Sequence, residues 1–294
     1  MSRFRSRVPR LALLTLAAGW GMLAIGGAAS AAKASRMAVA VGDVTDRRRN
    51  DNVFSELEVE LKVAGDGLEG ARGARALVTS AADDTGRNLI KDAKASRDFE
   101  KSSGDGPPTL KVSLKNPARK ATALRELSGQ VEVFVPARDT AAITRVEKFL
   151  SRMDRPISSP GLKAARAEVT VISRKTYEAE KKKNDERRQA EAQSAGIAGA
   201  MAQAFAGLFD GFFGDIGEND VLIRVDDKGK KVFGVEIFDA AGARIDNQGS
   251  MTVGDFVILK HPQKVPADAT LAVYVLTPKA LLSAPFNLKN VPLP

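Results

Sequence analysis

Strict alternation of apolar and charged residues is the feature that most constrains the fold of this chain. In SELEVELKVAG (55–65), every second residue from Leu57 to Val63 is Leu or Val, and the residues between them are Glu or Lys. A period of two places successive side chains on opposite faces of a strand, so this segment predicts a strand with one buried and one solvated face. The same pattern recurs in TLKVSLKN (109–116), QVEVFVP (130–136) and AEVTVIS (167–173).

Turn-forming tracts separate these predicted strands. AGDG (64–67), AADDTG (81–86), SGDGPP (103–108) and ISSPG (157–161) are rich in Gly, Pro, Asp and Ser, which are the residues that favour turns. One-sided strands joined by such turns predict antiparallel sheets packed as a sandwich, and they argue against a parallel α/β sheet. MAVAV (37–41) is expected to open the series.

Two segments of this first half have other patterns. Residues 140–153 carry Ile143, Val146 and Phe149 at helical spacing, and the sequence leaves open whether they form a helix or a strand. Residues 80–108 are polar and rich in Asp, Lys, Ser and Gly, so they predict a long loop or a hairpin excursion.

A second series of strands follows residue 218 and has more apolar residues on both faces. Five strands are predicted there: NDVLIRVDD, KVFGVEIFD, MTVGDFVILK, TLAVYVLT and ALLSAPFNL. Residues 239–242 and 265–268 are predicted turns between them. Strands that are apolar on both faces belong in a core or against a neighbouring domain. The sequence therefore predicts a second, smaller β-sandwich domain.

A helical segment is predicted between the two β regions, at residues 175–217. Residues 175–194 contain only Ala and Tyr177 as nonpolar residues, and oppositely charged residues recur four positions apart. This pattern predicts a charged, largely solvated helix. Residues 196–217, GIAGAMAQAFAGLFDGFFGDIG, place their large apolar side chains within an arc of roughly 160° at helical geometry. These side chains are Ile197, Met201, Phe205, Leu208, Phe209, Phe212 and Phe213.

The glycines of this second helix determine what it needs in order to form. Each interior glycine destabilises a helix by about 1 kcal/mol relative to alanine, so residues 196–217 are expected to become helical only against a surface that buries the apolar side chains. Three surfaces meet this need: the protein's own β region, a partner protein or second copy of the chain, and a membrane interface. The seven apolar residues are therefore the predicted contact site.

The N-terminus predicts a secretory signal peptide over residues 1–31. Four arginines lie within the first ten residues, Leu11 to Ile25 is an uncharged apolar run, and Ala29-Ser30-Ala31 offers small residues for cleavage. The uncharged run is also long enough to cross a bilayer, so an uncleaved inner-membrane anchor is the alternative. Cleavage would lower the formal net charge from +9 to +5. The expected location is periplasmic or extracellular.

The composition speaks against most enzyme classes. The chain has no Cys and a single histidine, His261, beside a proline, so cysteine nucleophiles are excluded and a Ser-His-Asp site is disfavoured. No motif for nucleotide or zinc chemistry occurs. The sequence therefore predicts no catalytic residue and no cofactor. It also predicts no nucleic-acid binding, because it lacks a concentrated basic face with interleaved aromatic residues.

Loop carboxylates are the remaining candidates for chemistry. Three aspartates lie in VGDVTDRRRND (41–51), and adjacent pairs occur at Asp83-Asp84 and Asp226-Asp227. Calcium binds such oxygens, but aspartate is also a turn residue and the EF-hand spacing is missing. The sequence therefore favours turn chemistry, predicts no metal, and leaves calcium binding open. Arg47-Arg48-Arg49 is predicted to be a solvated loop.

Three long segments resemble exported proteins of planctomycete-type bacteria that have no known activity. They are LKNPARKATALRELSGQVEVFVP (114–136), GENDVLIRVDD (217–227) and ADATLAVYVLTPKALLSAPFNLKNVPLP (267–294). The resemblance spans both β regions and contains no catalytic motif. It implies Ig-like sandwich domains in an envelope compartment.

These observations predict a mainly β protein of two antiparallel β-sandwich (Ig-like) domains joined by a helical insertion. The predicted divisions are a signal peptide (1–31), a β-sandwich domain (32–174), the two helices (175–217) and a second sandwich (218–294). The expected function is non-enzymatic binding or scaffolding in the cell envelope, with an envelope protein or component, or a second copy, as partner. Peripheral membrane attachment through the amphipathic helix is the alternative, and a carboxylate-based hydrolase is the third hypothesis.

Overall fold

Antiparallel strands dominate the structure. The computed structural model describes residues 37–48, 55–91, 98–102, 108–194 and 216–294, and all structural statements below refer to these ranges. Every strand pairing within them is antiparallel. The chain is therefore mainly β, with several antiparallel sheets, as the alternation predicted.

The strands fall into two groups along the chain. Those before residue 174 are β1 (Met37–Arg47), β2 (Glu56–Gly65), β3 (Gly73–Asp83), β4 (Glu100–Lys101), β5 (Thr109–Leu114), β6 (Ala123–Phe134), β7 (Ile143–Glu147), β8 (Pro156–Ile157) and β9 (Glu168–Ile172). Those after residue 220 are β10 (Val221–Asp226), β11 (Val232–Phe238), β12 (Gly249–Val253), β13 (Phe256–Lys260), β14 (Thr270–Val275) and β15 (Leu281–Pro292).

Two sheets share the first hydrophobic core. One has the strand order β1-β2-β5 and the other β15-β6-β3-β4. The alternating residues of β2 behave as predicted, because Leu57, Val59, Leu61 and Val63 are all fully buried. They pack in one cluster with buried residues of β3, β5, β6 and β15. Burying each such side chain contributes about 1.5–3 kcal/mol, so the alternation of β2 translates directly into this core.

Two further sheets share the second hydrophobic core. Their strand orders are β12-β13-β10-β9-β8 and β11-β14-β7. Val169 and Val171 of β9 pack in one cluster with Ile223 of β10, Ile237 of β11 and Val273 of β14. Strands that are distant in sequence therefore complete both cores: β7 pairs with β14, and β15 pairs with β6. The described residues all belong to one compact unit, Ser35–Pro294.

Two local predictions are resolved by the structure. Residues 140–153 form the strand β7 between two short 3-10 turns, Thr140–Ala142 and Phe149–Arg152, so the helical reading of this segment is wrong. Its apolar spacing reflects packing of Val146 and Phe149 into the second core. MTVGDFVILK is two strands, because Gly254 adopts a φ of +57° and Val253 pairs with Phe256 across a two-residue turn. Glycine adopts this conformation without steric penalty, as hairpin turns require.

Two helices flank β9. The short helix α1 (Pro160–Ala165) precedes it, and the charged segment after it forms the helix α2 (Arg174–Ser194). Ser173 caps the start of α2, since its side-chain oxygen accepts a hydrogen bond of 3.2 Å from the Thr176 N–H. Tyr177 is buried and packs edge-on against Phe256 at 5.2 Å between ring centroids. Glu180 forms an ion pair of 2.9 Å with Arg224. One aromatic ring and one ion pair thus attach the first turns of α2 to the sheet.

Several predictions concern residues outside the described ranges. The contact residues Ile197, Met201, Phe205, Leu208, Phe209, Phe212 and Phe213 lie there, and so do residues 1–36, Arg49 and Asp51. The amphipathic helix and the signal peptide therefore stay predictions. Within the described ranges, no helix combines the length and apolar character that crossing a bilayer would need.

Candidate functional site

A groove of about 670 Å³ lies between the β2–β3 loop and the strand β11. Residues 68–72 of the loop form one wall, and residues 233–236 of β11 form the other. The rest of the lining is Lys101 at the end of β4, Ser102, Phe238 of β11, Arg244 after β11 and Tyr274 of β14. We call this the polar groove, because charged side chains from four separate parts of the chain meet in it.

Close packing at one end of the polar groove holds its two walls together. The Phe233 ring lies 4.8 Å from the ring of Phe134 and 6.1 Å from that of Phe99. Gly73 permits this approach, since a Cβ on it would lie 2.7 Å from the Phe233 ring and 2.5 Å from the Glu100 carbonyl oxygen. The Arg72 N–H donates a 2.9 Å hydrogen bond to the Phe134 carbonyl, which ties the loop to β6.

Glu236 is the centre of the charge network in the polar groove. Its Oε1 accepts a 3.1 Å hydrogen bond from Arg72 and lies 3.7 Å from the Arg244 guanidinium. Its Oε2 accepts a 2.7 Å hydrogen bond from the Tyr274 hydroxyl. The Arg72 guanidinium also lies 5.4 Å from the centroid of the Tyr274 ring. Both oxygens of this carboxylate are therefore occupied by the protein's own donors.

Tyr274 is a permanent hydrogen-bond donor at neutral pH. Burial and, after it, the hydrogen bond to Glu236 raise the pKa of Tyr274 to about 12, against the opposing charges of Arg72 and Arg145. A phenol with such a pKa stays protonated unless the solution is strongly alkaline. Tyr274 thus holds Glu236 in place and does not serve as a base.

Lys101 is the one cation of the polar groove that lacks an anionic partner among the described residues. Its side chain reaches over β11, and its Nζ lies 3.4 Å from the position that a Cβ would take on Gly234. The residue is exposed. The groove therefore presents a free ammonium group directly above the backbone of β11.

A second cavity, of about 230 Å³, adjoins the polar groove along β11 and shares Lys101, Phe233, Gly234 and Val235 with it. We call it the apolar cavity after the five aliphatic residues in its lining, which are Val225, Val232, Val235, Val257 and Leu259. It opens between β11 and the β12–β13 hairpin, and Asn247, Ser250 and Thr252 lie at its polar side. The polar groove and the apolar cavity therefore meet along β11, where Lys101 and Gly234 line both.

Asp83 and Asp84, an adjacent pair among the candidate aspartates, accept hydrogen bonds from the backbone of nearby turns and loops. Asp83 is fully buried and accepts hydrogen bonds from the backbone N–H groups of Thr85, Arg87 and Ala118 at 2.9–3.0 Å. Asp84 accepts two hydrogen bonds from Thr122. In the part of the chain that the structure describes, no three metal-binding side chains come together as a metal site would require. Turn chemistry accounts for both residues of this pair.

The other charged candidates are also engaged locally. Asp46 pairs with Arg48 at 2.6 Å and accepts a hydrogen bond from Asn116, and Arg47 lies 3.9 Å from Glu56. Asp227 accepts a hydrogen bond from the Val232 N–H. His261 is buried after β13, and this burial lowers its pKa. None of these residues lines the polar groove.

The sequence reasoning missed the polar groove altogether. One signal was present, since Glu236 is the single charged residue within the otherwise apolar strand VFGVEIF. A charge in such a strand needs a partner when it is not in water. The partners Arg72 and Tyr274 are too distant in sequence for any local pattern to assign.

Comparison with known proteins adds no family or fold relationship. Neither the protein-family models, nor the curated proteins, nor the solved structures contain a match to this chain. The groove and cavity beside β11 are therefore interpreted from their own chemistry.

Proposed function

We propose that this chain is a non-enzymatic exported binding or scaffolding protein of the cell envelope, and that the polar groove is its binding surface. The observation that carries the proposal is the state of the groove's ionisable groups. Both oxygens of Glu236 already accept hydrogen bonds from Arg72 and Tyr274, whereas Lys101 has no described anionic partner. Such an arrangement favours holding a ligand over transferring a proton.

The same contacts disfavour the carboxylate-based hydrolase. Hydrolysis by carboxylates needs a proton donor and an opposed base or nucleophile across the substrate. Glu236 is the carboxylate at the centre of the groove, and its donors fix it as an acceptor. Glu69, at the rim, is the other carboxylate among the lining residues. The groove is better suited to bind an anionic or hydrogen-bonding ligand.

The proposal includes the finer architecture. We infer that the protein consists of two antiparallel β-sandwich (Ig-like) domains joined by a helical insertion. Two hydrophobic cores, each of which draws residues from two sheets, support this architecture.

The proposal that the protein is exported rests on the first 31 residues, in which a basic segment is followed by an apolar run and then by small residues. N-terminal sequencing of the protein recovered from a bacterial envelope fraction tests the export: a start at Ala32 supports cleavage, and a start at Met1 supports a retained anchor.

Affinity capture tests the binding function. The protein is immobilised beside a Lys101→Glu variant and exposed to an envelope extract, and each captured component is purified and titrated against both forms. Saturable one-to-one binding that the variant weakens supports the proposal. Turnover of an envelope glycan or ester that disappears in Glu236→Gln would replace it with the hydrolase. Co-sedimentation with liposomes that disappears in Phe209→Asp would replace it with membrane attachment.

A further inference from the structure

We propose that β11 binds an extended peptide segment as an added antiparallel strand, and that the segment carries an apolar residue followed directly by an acidic one. The inference rests on the proposed binding function and names its ligand class. It is carried by three features of β11: its place at the edge of its sheet, two cavities of different lining that meet along it, and Lys101 beside Gly234.

Among the residues that the structure describes, no strand pairs with Phe233 to Glu236 of β11 on the side away from β14. β11 is the edge strand of the sheet β11-β14-β7. The Ile237 carbonyl accepts a 2.8 Å hydrogen bond from the Ile245 N–H, so the backbone groups of Ile237 point away from β14. Alternate residues of an antiparallel strand point the same way, and the N–H and C=O of Val235 therefore also point outward. Such an edge is a template for strand addition.

The two cavities predict the side chains of the added strand. A residue directly opposite Val235 exchanges both backbone hydrogen bonds with it, and its side chain lies on the same face of the sheet as the Val235 side chain. On that face Val235 packs against the second core, beside Val225, Val257 and Leu259 of the apolar cavity. The residue opposite Val235 is therefore apolar, and we call it the anchor.

The charge of Lys101 predicts the peptide residue that follows the anchor. In an antiparallel register, the residue after the anchor lies opposite Gly234, and its side chain faces the polar groove beside the Lys101 ammonium. An acidic side chain there gains a charge-assisted interaction. The residue before the anchor lies opposite Glu236, where a second acidic side chain would be repelled. The favoured order is therefore neutral, apolar, acidic.

A second copy of the chain fits this edge less well, although Val235-Glu236 itself has the apolar-acidic order. Two β11 strands paired antiparallel about Val235 would place Phe233 of one copy opposite Ile237 of the other. That position beside Ile237 is already taken by Ile245, which is bound to it within each copy. A peptide segment needs only the free stretch from Phe233 to Glu236, so it is the occupant to which we commit.

The test uses synthetic peptides and the purified full chain. The probe is acetyl-Thr-Val-Glu-Thr-amide, whose four residues lie opposite the stretch from Glu236 to Phe233. It is compared by calorimetric titration with two forms that carry one N-methyl group, on Val or on Glu. Of these two N–H groups, that of Val faces β11 in the proposed register and that of Glu faces away from it. We expect methylation of Val to weaken binding by about tenfold or more, and methylation of Glu to leave it within about threefold. Equal effects of the two methyl groups would overturn strand addition.

Two further comparisons test the charge and the direction. Replacing Glu of the probe by Lys, or Lys101 of the protein by Glu, should each weaken binding by about tenfold, whereas Lys120→Glu, an exposed charge reversal outside the groove, should not. A probe with Glu before Val should bind more weakly, and tighter binding would overturn the antiparallel register. If no probe binds while envelope capture remains dependent on Lys101, the peptide inference is wrong and the binding function stands.

Discussion

Arg72 donates a 3.1 Å hydrogen bond to Glu236 across a sequence separation of 164 residues. Arg72 lies in the loop between β2 and β3, and Glu236 lies in β11, so this contact joins the parts of the chain that build the two cores. The Tyr274 hydroxyl holds the other carboxylate oxygen at 2.7 Å. The polar groove exists because these three side chains satisfy one another beside the apolar packing of Phe233.

A double-mutant cycle measures the strength of this contact. We expect Arg72→Met and Glu236→Gln to be non-additive in the free energy of unfolding by about 1 kcal/mol. The Arg72 side chain is 34% exposed and the Glu236 side chain 21%, so solvent screening keeps the coupling below that of a buried pair. Urea denaturation of the two single variants and the double variant gives the value. Additive effects would show that the contact contributes nothing to stability.

The pKa of Tyr274 predicts a stability change in alkaline solution. Because its folded pKa of about 12 lies above the ordinary value of 10.0, protonated Tyr274 contributes stability that is complete below pH 10 and lost as the pH rises toward 12. Tyrosinate absorbance in a Tyr177→Phe variant, which leaves Tyr274 as the single tyrosine, should titrate near 12. The denatured variant should titrate near the ordinary value. A native midpoint at the ordinary value would contradict the buried hydrogen bond.

Asp83→Asn should destabilise the loop that follows β3. Burial by itself would raise the pKa of Asp83, but hydrogen bonds from Ala118, Thr85 and Arg87 outweigh this effect and lower it. An asparagine amide can replace one oxygen only, so one N–H partner would face another donor and about 2 kcal/mol would be lost. The lowered pKa gives stability that is present above pH ~4 and lost as the pH falls through the folded value. Acid titration of unfolding should be flatter in the variant than in the wild type.

Gly73→Ala should disturb the junction between the two cores. The new methyl group would lie 2.5 Å from the Glu100 carbonyl oxygen and 2.7 Å from the Phe233 ring, so β4 or Phe233 must move. We expect a loss of about 1–3 kcal/mol in the free energy of unfolding. Gly229→Ala is the matched control, because its nearest contact is an ordinary 3.5 Å. Equal thermal stability of the two variants would contradict the close packing.

Tyr177→Ala should release the start of α2 from the sheet. Tyr177 is buried against Phe256, and truncating a buried aromatic side chain costs about 3–5 kcal/mol. Amide hydrogen exchange of residues 176–183 should become faster than in a Tyr177→Phe control, which keeps the ring. Glu180→Gln, which removes a partly exposed ion pair with Arg224, should cost less than about 1 kcal/mol. Unchanged exchange in the alanine variant would show that other contacts hold the helix.

Local patterns predicted β2 and β5 because one face of each is buried, and their alternation matches burial residue by residue. The match fails at Phe134 of β6 and at Thr170 and Ile172 of β9, which are buried although a period of two places them on the other face. The pattern was less informative for residues 140–153, where two 3-10 turns bring Val146 and Phe149 into one core and imitate helical spacing. It was also less informative at Gly254 and Asp255, which form a two-residue turn that divides the segment predicted as one strand.

Such patterns could not predict the polar groove, because most of its residues have no distinctive feature in their local sequence. Lys101 is one of many lysines, and Arg72 follows a glycine-rich turn like many other arginines. Only the charge of Glu236 within an apolar strand pointed to a partner elsewhere. The seven predicted contact residues from Ile197 to Phe213 lie outside the described residues, and their role stays a prediction.

The amino-acid sequence by itself determined the buried face of β2 and β5, because this property follows from side-chain polarity repeated at short range. It did not predict the strand β3, and it left β7 open between helix and strand. The tertiary structure decided that β15 pairs with β6 and β7 with β14. Backbone hydrogen bonds are the same for every strand, so pairing depends on packing between residues more than a hundred positions apart. The polar groove depends on the same long-range packing, which alone brings Arg72, Lys101, Glu236 and Tyr274 together.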